Sequence, residues 1–122
     1  MIEYEFNEEL KILEVAFIGA IDLKELIRYG EMIRNDSSLP RDLRILTNAT
    51  TAIYHLSADD VTEMMVVLKD QIKPYRFVKT AVLQEKPVET AISMLVDTRE
   101  PIHNYEHKVF STRQAALKWL NE

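Results

Sequence analysis

Apolar residues fall on every second position at the start of the chain, at Ile2, Tyr4 and Phe6, with Glu3 and Glu5 between them. A period of two predicts a strand with one face buried. After the polar turn Asn7-Glu8-Glu9, the mostly apolar run Leu10 to Ile18 predicts a second strand covered on both faces, and a hairpin joining the two. The period then changes. Asp22 and Glu25 have the spacing of a capping box, and Leu23, Leu26, Ile27, Gly30 and Ile33 follow at three-and-four spacing, which predicts a first helix. Glycine on that stripe lowers helix propensity by about 1 kcal/mol, so Gly30 predicts a close approach of this helix to the sheet. The cluster 35–38 and Pro40 end the helix in a loop.

The same two periods carry the rest of the chain. Leu43 to Thr47 predicts a short third strand, and the more polar segment Asn48 to Leu56 a long connection. Ser57 with Asp60 predicts the start of a second helix with Val61, Met64, Met65, Leu68 and Ile72 inward, ended by Pro74 and Tyr75. Val78 to Leu83 predicts a fourth strand. Pro87 suits a first helical position, and Val88, Ala91, Ile92 and Leu95 form the expected inward stripe of helix three. Pro101 ends it. Lys108 to Phe110 predicts the last strand, and Ser111 with Gln114 caps a final helix carrying Ala116, Leu117, Trp119 and Leu120. Strands alternating with helices predict right-handed crossovers. The expected fold is α/β: one domain over 1–122, with a mixed, mostly parallel five-stranded sheet, an N-terminal antiparallel hairpin and four helices.

Composition narrows the function classes. With no cysteine, the chain has neither a disulfide framework nor a thiolate nucleophile or ligand. No apolar run approaches the roughly 20 residues of a membrane helix, and Met1 to Asn7 lacks the basic start of a signal peptide. The expectation is a cytoplasmic protein with no membrane insertion. A formal charge of −5 repels phosphate backbones, so nucleic acid is not an expected partner. Two glycines make a phosphate cradle implausible, and no Ser-His-Asp order or His-Glu-x-x-His helix occurs. No catalytic set, cofactor or metal is expected. His103 and His107 are four apart, but Pro101 and Asn104 break the helix that would align them. Lys69, Lys73, Arg76 and Lys79 could form a basic patch, yet cations at a helix end answer the helix dipole.

Gly19, the segment Leu43 to Asn48, and the ending Val109-Phe110 followed by Ala116-Leu117-Lys118-Trp119-Leu120 resemble the bacterial SpoIIAA-like proteins, which have the STAS fold of anti-sigma-factor antagonists. In signalling members of that family, a serine opening the helix after the third strand is phosphorylated. The resemblance places that role at Ser57, and Asn48 where relatives often carry aspartate. The departure is in the motif: His55-Leu56-Ser57-Ala58-Asp59-Asp60 lacks the paired serines and glycine, and Asp59 and Asp60 would repel an added phosphate.

Two readings follow. The first is a non-enzymatic STAS-type regulatory or protein-interaction module, docking to another protein or to itself through Asn48, Thr50, Tyr54 and Ser57, since binding residues favour loops on rigid scaffolds. The second is a binder of a small apolar or amphipathic ligand in a cavity between the sheet and helices two and three, with Met64, Met65 and Leu68 in its wall.

Overall fold

The strands assemble in chain order. In a computed structural model that describes residues 1–98 and 100–122, β1 (Ile2–Asn7), β2 (Ile12–Asp22), β3 (Asp42–His55), β4 (Phe77–Leu83) and β5 (Tyr105–Phe110) form one sheet. β1 is antiparallel to β2, and every other neighbouring pair is parallel. Helices α1 (Leu23–Asn35), α2 (Ala58–Gln71) and α3 (Pro87–Met94) carry the crossovers, a 3-10 turn (Leu95–Thr98) extends α3, and α4 (Arg113–Leu120) follows β5. Right-handed crossovers that all step the same way put their helices on one face of the sheet.

Alternate residues of the central strands therefore enter different cores. Leu13, Val15, Phe17, Ile45 and Val78 pack with Ile33, Met65 and Ile72 on the α1–α3 side. Ile12, Leu46, Ala81 and Leu83 pack with Ala116 and Leu120 of α4 on the other. Polar bonds fix α4 in place. Arg113 grips Glu14 at 2.6 and 2.8 Å, Arg44 donates to the Leu120 carbonyl at 2.8 Å, and Lys79 donates to the Trp119 carbonyl at 2.6 Å. Lys79 is thus buried across the sheet from Lys69 and Lys73, and Arg76 pairs with Asp42. The basic run does not form one patch.

The largest departure from expectation is β3, which continues through Asn48 to His55 instead of becoming a long connection. Thr50, Thr51, Ile53 and Tyr54 are strand formers, and this stretch pairs with Ile18 to Asp22 of an equally extended β2. Register jumps between Ala16–Asn48 and Ile18–Thr51, so Ala49 and Thr50 together oppose Phe17. That β-bulge breaks the period of two and hides the strand from pattern reading. Asn48 Oδ1 holds it, accepting from the Thr50 amide at 3.1 Å and hydroxyl at 2.7 Å.

Smaller corrections share a cause, the choice among neighbouring residues. Asp22 caps α1 by accepting from the Glu25 amide at 2.8 Å, while the Glu25 carboxylate turns to the Met1 amine. Thr112, not Ser111, caps α4, because its hydroxyl reaches the Ala115 amide. In α3, Val88 and Ala91 face outward, and the buried positions are Glu89 and Ser93, with Ile92 beside them. Gly30 approaches Gln71 of α2 rather than the sheet: a Cβ there would stand 1.9 Å from Gln71 Oε1.

Candidate ligand-binding cavity

The α1–α3 core is not filled. A cavity of about 130 Å³ lies between the sheet and these helices. Its floor is Phe17 of β2, Ile45, Thr47 and Tyr54 of β3, Val78, Thr80 and Val82 of β4, and Tyr105 and His107 of β5. Its roof includes Tyr29 of α1, Met64 and Leu68 of α2, and Ile92 and Ser93 of α3. Short α3 explains part of the gap. Eight residues of helix followed by a 3-10 turn cover β4 and β5, against 13 residues in α1 and 14 in α2.

Most of the wall is hydrocarbon, and its polar groups sit among one another. Burial pushes the Tyr105 phenol up to about 12, with the Thr80 hydroxyl beside it acting the other way. Burial likewise raises Tyr54, against the Ser93 hydroxyl, and raises Tyr29 further. Phenols held this way stay neutral donors near pH 7. His107 Nδ1 lies 3.3 Å from Asp97 Oδ1, and the His107 side chain is 8% exposed against 45% for Asp97. Burial lowers the His107 pKa, with Asp97 working in the opposite direction.

The residues expected to form one docking surface are divided among three tasks. Asn48 and Thr50 shape the bulge, Tyr54 is turned inward to the cavity by that bulge, and Ser57 caps α2. Ser57 accepts from the Asp60 amide at 3.0 Å, and the Asp60 carboxylate accepts from the Ser57 amide at 2.9 Å, completing a capping box. Between β3 and α2 stand only Leu56 and Ser57, so no long loop is available. Of the three expected pocket residues, Met64 and Leu68 line the cavity, whereas Met65 is packed into the core. His103 is exposed and His107 faces the cavity from β5, so the two share no helical face.

Sequence reasoning missed the β5 contribution, Tyr105 and His107, because it began that strand at Lys108. The alternation of Tyr105, His107 and Val109 was the signal available.

No helix among the described residues is long and apolar enough to cross a membrane. No protein-family model matches the chain, and no curated protein matches it. Among solved structures, an uncharacterized DUF3478-family protein with a SpoIIAA-like fold from Shewanella loihica PV-4 superposes with a TM-score of 0.62 at 15% identity, covering 98% of this chain and 92% of that one. The chain therefore has the SpoIIAA-like fold, as its sequence resemblance implied.

Proposed function

We propose that this domain is a non-enzymatic binding module that holds a small apolar or amphipathic molecule between its sheet and helices α1 to α3. The observation that carries the reading is the cavity itself, since protein interiors normally pack without voids larger than a water molecule. An apolar cavity of about 150 Å³ stays dry and accepts a molecule such as benzene, and the volume here, about 130 Å³, is of that order. The chemistry of the walls supports binding over reaction: the three tyrosines are held neutral by burial, away from the phenolate a nucleophile would need.

The test is an NMR titration with n-pentane, following the methyl signals of Met64 and Ile92 in the cavity wall against that of Val66, which is 69% exposed on α2. Selective, saturable shifts at Met64 and Ile92 are expected. Shifts that are absent, or equal at Val66, would show that the gap takes no guest. Native mass spectrometry of the protein from its own cells then reveals whether a molecule travels with it.

A further inference from the structure

The cavity wall is chemically uneven, and the unevenness selects among guests. Its floor runs from β2 to β5, three strand spacings, or about 14 Å. A volume of about 130 Å³ has room for a small guest, on the scale of benzene. The β2 end is walled by Phe17 and Leu26, and the β5 end holds His107, with Thr80 beside it in register.

At that end the Thr80 and Tyr105 hydroxyls bond to one another, which leaves the His107 ring to meet a ligand. Asp97, being a carboxylate, can only accept, so the 3.3 Å contact places the His107 proton on Nδ1. Nε2 then carries the lone pair and acts as an acceptor. Among the described residues the charge beside His107 is that of Asp97, Glu89 is 9% exposed on α3, and no lysine or arginine lines the cavity. A carboxylate head would enter uncompensated, because a buried charge needs a partner.

We infer that the cavity selects a neutral, hydrogen-bond-donating amphiphile, an aliphatic alcohol or its chemical equivalent, with its chain toward Phe17 and its O–H donated to His107 Nε2. This rests on the cavity being a binding site, and it adds the head-group chemistry and the direction of the bound molecule. Asp97 is the positioning residue, since it fixes the tautomer of the ring that meets the ligand.

Three probes of similar size separate the possibilities: 1-pentanol, its isomer butyl methyl ether, which keeps the oxygen but lacks the donor, and pentanoate. Dissociation constants are measured by NMR titration on the wild-type protein, His107→Leu and Asp97→Ala. Wild type is expected to hold pentanol about fivefold more tightly than the ether, the worth of one net hydrogen bond, and pentanoate more weakly than either. His107→Leu removes the pentanol preference while still binding the ether. Should that variant not fold, Asp97→Ala, made at a half-exposed carboxylate, narrows the preference by freeing the tautomer. Equal binding of pentanol and ether by wild type, or tightest binding of pentanoate, overturns the assignment of the head group and leaves the cavity reading standing. Binding of no probe overturns both.

Discussion

Gly30 on α1 and Gln71 on α2 occupy space that one methyl group would contest. Gln71 is 3% exposed, donates to the Ile27 carbonyl at 2.9 Å, and lies where a Cβ on residue 30 would go. Gly30→Ala would gain about 1 kcal/mol of helix propensity but displace a buried amide from its bond, a loss of about 1–3 kcal/mol. The expected net result is destabilisation by about 1 kcal/mol in urea unfolding, largely recovered when Gln71→Ala is added, because the two positions share one space. A more stable Gly30→Ala would contradict the clash. Gly19 presents the opposite case. Its φ is +69° with nothing within 4 Å of a Cβ, so Gly19→Ala should lose about 1 kcal/mol through backbone strain alone, and no neighbouring truncation should restore it. His107 makes the molecule acid-sensitive. Its folded pKa is lowered from 6.5 by burial, so the unfolded chain takes up the proton first as pH falls. Stability is therefore full above about pH 6.5 and declines below it. Thermal unfolding from pH 7.5 to 5 should show this decline, less steeply in His107→Phe.

At the scale of elements, β3 joins two environments in one strand. Ile45 to Asn48 pair with both β2 and β4, whereas Thr51 to His55 pair with β2 alone, because β4 ends opposite Asn48. Backbone amides in the second half should exchange with deuterium at lower opening free energy than those in the first, with the change falling at the bulge. Uniform protection along β3 would mean that the bulge does not divide it. At the end of that strand Ser57 caps α2, and Ser57→Ala should cost about 1 kcal/mol. Ser57→Asp should cost less, since an aspartate oxygen still reaches the Asp60 amide. Chemical denaturation of the two variants checks the order. These elements were unequally legible in the sequence. The capping box of α2 was readable because two residues of one turn, Ser57 and Asp60, suffice to make it. The outer half of β3 was not, because a bulge resets which residues face inward, and alternation across Asn48 to Ile53 no longer signals a strand.

At the scale of the whole molecule, the binding proposed for the cavity would couple to stability. A ligand that binds the folded chain and not the unfolded one raises stability by about 2.7 kcal/mol at a hundred times its dissociation constant. The melting temperature should therefore climb with pentanol concentration. A filled variant, Ser93→Leu, should melt independently of it if it folds. Local chemistry along the chain determined the fold class: periods of two and 3.6, helix caps, Pro87 at a first helical position, and apolar runs long enough for strands covered twice. Each is an interaction within a few residues, so each is written where it acts. Tertiary structure alone decided that Tyr54 looks inward, that Lys79 spans to Trp119, that Gly30 makes room for Gln71, and that β2, β5, α1 and α3 leave a space between them. The physical reason is that these features depend on distances between segments far apart in the chain. A cavity is a mismatch between packed surfaces, and no single segment contains it.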